Sequence, residues 1–195
     1  MTKAGFVFLF AIFITPLELF AAKAPIAKVL KIRGAVTKLL PGATQATLVQ
    51  EGDDLLEDTS IVTGEKSFIK IKFIDKSELN MGPESKIVIA EMSPSEQVGI
   101  ISLLKGRIRT EVEKREKGQE EGGNKFYIRT RTAALGVRGT DFQTIYNPEN
   151  RMTSLLTYQG SVAMARVDEK THERFSEGET KVVRDDVTKV PEIQK

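Results

Sequence analysis

Apolar and polar residues alternate with a period of two along most of this chain. In "SFIKIKF", Ile69, Ile71 and Phe73 fall on one face and Lys70 and Lys72 on the other, the pattern of a half-buried strand. Asp75-Lys76-Ser77 then supplies turn chemistry, Leu79 and Met81 resume the alternation, Gly82-Pro83 turns the chain again, and Ile87 and Ile89 continue it. Residues 68–90 therefore predict three short strands in a meander. Ile101 and Leu103 alternate, Gly106 interrupts, and Ile108, Thr110 and Val112 alternate against Arg107, Arg109 and Glu111. Further strands are predicted at 126–130, 142–146, 153–157, 162–167 and 180–183, between markers such as Asn147-Pro148-Glu149-Asn150 and Asp168-Glu169-Lys170. Past the N-terminal apolar run, nothing sustains a helical period for three turns. The fold class implied is all-β, a single sandwich or barrel of short antiparallel strands.

A weak internal repeat accompanies the strands. "RGAV" at Arg33, "KGRI" at Lys105 and "QGSV" at Gln159 each set a polar residue and a glycine before an apolar alternation. Their spacing is unequal, which excludes a solenoid. Each glycine is expected to mark a bulge or bend, where the missing Cβ lets the backbone kink. Residues 113–124, "EKREKGQEEGGN", contain no apolar side chain and three glycines and are expected to form a solvated loop. Lys117, Gln119, Glu120 and Glu121 within it are candidate contacts for a partner, the alternative surface being an exposed strand edge, where pairing supplies backbone hydrogen bonds. Residues 185–195 form a polar tail.

The first residues follow a different logic. Lys3 precedes an unbroken apolar run from Gly5 to Ile14, Thr15 and Pro16 break it, and Ala21-Ala22 offers a small-residue cleavage point. That order is the pattern of a secretory signal peptide over residues 1–22, leaving the β domain at 26–184. The run is short for a membrane span, which needs about 20 residues, although 4–22 would just span as a retained anchor if Glu18 were tolerated. There is no cysteine, so neither a lipid-anchoring cysteine nor a disulfide is available. The expected product is periplasmic or secreted, without a stable membrane anchor, and held by its core alone.

Composition limits the chemistry. Net charge is +2 with both signs interspersed, and His172 is the sole histidine, so no nucleic-acid surface is indicated. With one histidine and no cysteine, zinc sites and Cys-His pairs have no ligands, and no cofactor or metal is expected. His172 stands among Glu169, Lys170 and Glu173 in an evident turn, a poor place for a triad base. Ser102 and Lys105 have the S-x-x-K spacing of serine acyl-enzymes but sit in a strand pattern, with neither S-D-N nor K-T-G elsewhere. The acids Glu51, Asp53, Asp54, Glu57 and Asp58 lack the order of a calcium loop and read as a solvated bend. No enzyme is expected.

The stretch "TAALGVRGTDF" resists routine packing. Gly136 and Gly139 do not make a phosphate loop; an anion site formed with Arg129, Arg131 and Arg138 is one reading. The favoured reading is a structural corner, with Arg138 laying its guanidinium on backbone carbonyls or on Asp141. The segment Phe126-Tyr127-Ile128-Arg129-Thr130, followed by Gly136-Val137-Arg138-Gly139-Thr140 and Phe142, resembles the hallmark of the FecR-domain family. Gly34-Ala35-Val36, Gly52-Asp53, Val62-Thr63-Gly64, Asp75-Lys76-Ser77, Leu104-Lys105-Gly106-Arg107-Ile108 and Gln159-Gly160-Ser161-Val162 fit the same pattern in order. Arg131 departs from it, standing where many members carry proline.

The resemblance implies a periplasmic, sandwich-like or jelly-roll-like domain. In the best-known members that domain hangs from a transmembrane helix whose cytoplasmic end controls a sigma factor. Only a few residues precede the apolar run here, so direct transmembrane signalling is not expected to carry over. The expected function is binding of an envelope protein partner. The alternative is binding of a polysaccharide or other envelope polymer, against which stand the absence of tryptophan and the presence of only three tyrosines. N-terminal sequencing of exported material is expected to give a first residue of Ala22 or Lys23; material that still begins at Met1 would refute export by cleavage.

Overall fold

The computed structural model describes residues 24–93, 98–113 and 126–167, and every regular element among them is a β-strand. Two sheets share one strand. The first runs in the order β4 (Asp54–Leu55), β1 (Ala27–Arg33), β6 (Phe68–Phe73), β7 (Glu78–Met81), β9 (Val98–Glu111), β12 (Asp141–Asn147) and β13 (Met152–Gln159). The second runs β3 (Thr47–Leu48), β2 (Val36–Leu39), β5 (Ser60–Thr63), β8 (Lys86–Ser93), β9, β10 (Phe126–Arg129), β11 (Ala133–Val137) and β14 (Val162–Arg166). Residues 98–105 of β9 pair with β8 and, in part, β10; residues 106–111 pair with β12 and, in part, β7. All pairings are antiparallel except that of β9 with β10.

The inward faces of both sheets build one core. In β6, Ile69, Ile71 and Phe73 are buried, as the alternation requires. They meet Ile87, Ile89, Ile101, Leu103, Phe126 and Ile128 of the second sheet in a single cluster. Phe73 and Phe126 bridge the sheets edge to face, centroids 5.6 Å apart at 63°. Each fully buried side chain of this size contributes about 1.5–3 kcal/mol.

The sheets are joined by strands that fold from one into the other, and three of these corners share a construction. Gly34 lies between β1 and β2, Gly106 inside β9, and Gly160 between β13 and β14, with φ of +76°, +94° and +84°. Beside each runs a second crossing in the opposite direction: Ser67 before β6, Ser85 before β8 and Thr140 before β12. A Cβ on Gly34 would lie 2.5 Å from Ser67 Oγ, one on Gly106 would lie 2.6 Å from Ser85 Cα, and one on Gly160 would lie 2.6 Å from Thr140 Cγ2. Only glycine allows the neighbouring crossings to come so close.

The first two corners match bond for bond. Ser67 Oγ accepts the Ala35 N–H at 2.9 Å and donates to the Glu65 carbonyl at 3.0 Å. Ser85 Oγ accepts the Arg107 N–H at 2.9 Å and donates to the Pro83 carbonyl at 2.9 Å. Gly64 N–H returns to the Ala35 carbonyl and Gly82 N–H to the Arg107 carbonyl, both at 2.9 Å. Lys66 and Glu84, just before the serines, hold φ of +53° and +50°. The same order, a positive φ and then a buried Ser or Thr, recurs at Asp58-Thr59, Lys76-Ser77 and Gly139-Thr140.

Three expectations change. The meander over 68–90 is broken, because Gly82-Pro83 sends the chain into the other sheet, where β8 pairs with β5 and β9. Gly106 does not interrupt its strand; it bends β9 without ending it. Residues 133–137, expected to belong to a turn, form β11, whose Ala133, Leu135, Gly136 and Val137 are all buried. The proposed signal segment 1–22, the strand at 180–183 and the tail 185–195 lie outside the described residues. No helix among the described residues is long and apolar enough to cross a membrane.

Gly106→Ala is expected to destabilise by about 2–4 kcal/mol, because left-handed strain adds to a backbone overlap. Gly42→Ala, at φ +74° with nothing within 4 Å, should cost only about 1 kcal/mol. Urea unfolding of the two variants checks this; equal losses would refute the corner's steric requirement.

Candidate functional site

The stretch around Gly136 and Gly139 is a crossing from the second sheet to the first. Thr130 opens it. Its backbone N–H donates to the Ala133 carbonyl at 2.8 Å, and its Oγ1 accepts the N–H groups of Ala133 at 3.0 Å and Thr132 at 3.3 Å. The Thr153 hydroxyl on β13 lies 2.7 Å from Thr130 Oγ1 and 2.8 Å from Thr132 Oγ1, so the β10–β11 hairpin is clipped to the other sheet. Gly136 sits inside β11 opposite Tyr127 and Ala163. Val137 and Phe142, at the ends of β11 and β12, are fully buried.

Gly139, at φ +59°, turns the chain, and Thr140 is buried behind it. Arg138, the residue after β11, is exposed. The arginine on Asp141 is Arg109, from the neighbouring β9. Its Nε donates to Asp141 Oδ1 at 2.9 Å and its Nη2 to Oδ2 at 2.7 Å. These bonds hold the Asp141 carboxyl below its ordinary value of 3.8, against a smaller opposing effect of burial. The same guanidinium lies over the Tyr158 ring, 4.4 Å from its centroid.

Around this cluster the outer face of the first sheet becomes apolar. Register places Ile145 opposite Arg107 on one side and Ser154 on the other, with Leu156 opposite Gln143 and Met152 opposite Asn147. Ile145, Met152, Leu156 and Tyr158 are all exposed. Sequence reasoning missed this surface, although a signal was present. Residues 152–165 contain no charged side chain in a chain that is 29% charged.

Other candidates disperse. Asp53 binds Lys38 Nζ at 2.7 Å and accepts the Gln50 N–H, Asp54 pairs with Lys28, Glu51 accepts the Ile32 N–H, and Glu57 accepts the Met92 N–H. Each acid thus secures local structure. Among the described residues no group of three His, Cys, Asp or Glu side chains is placed to hold a metal ion. Ser102 and Lys105 lie on a strand and not on one face of a helix, so the S-x-x-K spacing lacks the setting in which lysine reaches the hydroxyl. Arg131 and Arg138 flank β11 at its two ends, separated by roughly 17 Å of strand, and with Arg129 they do not converge on one anion. His172 and the candidate loop residues Lys117, Gln119, Glu120 and Glu121 lie outside the described residues.

A family model described as FecR protein matches residues 59–163. No curated protein matches the chain. Among solved structures, a cell surface anchoring domain is 23% identical, with a TM-score of 0.32 over 33% of this chain and 84% of that one. A candidate anti-sigma factor from Parabacteroides distasonis is 15% identical, with a TM-score of 0.45 over 55% of this chain and 50% of that one.

The Asp141 pair has a defined pH signature. A carboxyl with a lowered folded pKa stabilises fully above its unfolded value and loses that contribution as pH falls through the folded value. Asp141→Asn should therefore unfold at lower urea than the parent at neutral pH, with the gap closing below about 3.8. A gap that stays constant through the acid range would refute the carboxylate's role.

Proposed function

The chain belongs to the FecR protein family, and from that premise we propose that it is an exported envelope module that senses by binding a protein partner on the outer face of β12 and β13. The observation that carries this reading is the apolar group Ile145, Met152 and Leu156, exposed side by side next to Arg107 and the Arg109–Tyr158 stack. Apolar and aromatic side chains bordered by arginine are the composition of protein interfaces. The reading of residues 1–22 as a signal peptide supports export.

The polymer-binding alternative has less behind it. A sugar-stacking site needs an open aromatic face. Arg109 occupies one face of the Tyr158 ring, Tyr146 is buried and Tyr127 is half-buried. In the proposed reading, the polar segment containing Lys117, Gln119, Glu120 and Glu121 is a second contact, on sequence grounds alone.

A photo-crosslinking residue at Ile145 in cells is expected to give an adduct with an envelope protein that forms again when both proteins are purified and mixed. The same residue at Leu48, exposed at the far edge of the second sheet, should give far less. Adducts with glycan alone, or equal capture from Leu48, would overturn the reading.

A further inference from the structure

The two sheets end in four edge strands, and three of them are guarded. β3 and β4 are two residues long, and β4 carries Asp54, ion-paired to Lys28. β14 has five residues and ends in Arg166. Shortness and charge are the devices by which sheets prevent their edges from pairing with other chains. β13 has neither. It is eight residues long, carries no charge and no proline, and among the described residues pairs only with β12. Met152, Leu156 and Tyr158 along it are 58%, 52% and 50% exposed.

We propose that β13 pairs antiparallel with β13 of a second copy of this chain, joining two first sheets into one across a two-fold axis. The strand is complementary to itself. With the axis at Ser154, Met152 faces the copy's Leu156 on the outer side and Leu156 faces the copy's Met152, while Ser154 faces its own equivalent. On the inner side Thr153 faces the copy's Leu155, whose counterpart already packs partly against the core. No charge opposes a charge, and every pair keeps its face, which is the condition for an isologous contact. The register shift between Asp141 and Phe142, which leaves Tyr158 without a pairing partner on β12, lies beyond the paired segment.

This inference stands apart from the partner reading, since the copy takes the strand edge and the partner takes the outer face. The two meet in one consequence: a dimer of this kind presents two outer faces on a continuous sheet, which is a bivalent surface.

Sedimentation of the purified chain over a range of concentrations is expected to show reversible dimers. Ser154→Lys puts two ammonium groups directly opposite each other and should raise the dimer dissociation constant at least tenfold. Met164→Lys, on the edge strand of the other sheet, should not change it. Because the chain has no cysteine, Ser154→Cys should form a single disulfide-linked dimer on mild oxidation, as opposed strand residues lie within bridging distance, whereas Met164→Cys should not. Thermal unfolding of each variant verifies that it is folded. A parent that stays monomeric, a dimer indifferent to Ser154→Lys, or crosslinking through Met164→Cys instead would each overturn the proposal.

Discussion

Folding two neighbouring antiparallel strands through the same corner is the constraint on which this structure depends. Side chains on the inside of such a fold have no space, and the backbone groups at the bend lose their ladder partners. Here one crossing supplies a glycine at positive φ, and its neighbour supplies a small hydroxyl residue pressed against it. At Gly34 and Gly106 the serine hydroxyl also takes the N–H freed by the bend. At Gly160 the contact is made by the Thr140 methyl, and among the described residues the Thr140 hydroxyl has no hydrogen-bond partner. The third corner is therefore a packed version of the first two, without their polar lock.

This construction explains which parts of the fold were legible in the sequence. Half-buried strands were clear wherever one face meets water, as in β6, whose lysines alternate with core isoleucines. β11 was hidden because Leu135, Gly136 and Val137 are buried in succession, which removes the period. The glycines of "RGAV", "KGRI" and "QGSV" were correctly singled out as bends. Their serine partners went unnoticed, although Gly64-Glu65-Lys66-Ser67 and Gly82-Pro83-Glu84-Ser85 repeat the same spacing. A contact between two crossings is a tertiary fact, and neither motif shows it alone.

The surface was less legible, for a related reason. Arg138 attracted attention by standing between glycine neighbours, yet the partner of Asp141 is Arg109, 32 positions earlier, brought alongside by the register of β9 and β12. The exposure of Leu156 likewise depends on which face of β13 the sheet turns away from the core. Alternation alone gives it the same appearance as a core position.

The shared strand gives the molecule a mechanical character that neither sheet would have alone. β9 lies inside both sheets, flanked by strands on each side along most of its length. Detaching β7 and β12 from its C-terminal half would loosen the same backbone that β8 and β10 hold at its N-terminal half. The two sheets therefore cannot melt in turn as independent subdomains. Amide protons along β9 are therefore expected to exchange as one cooperative unit, and Gly106 is the point at which the backbone continues from the β12–β13 sheet into the opposite one.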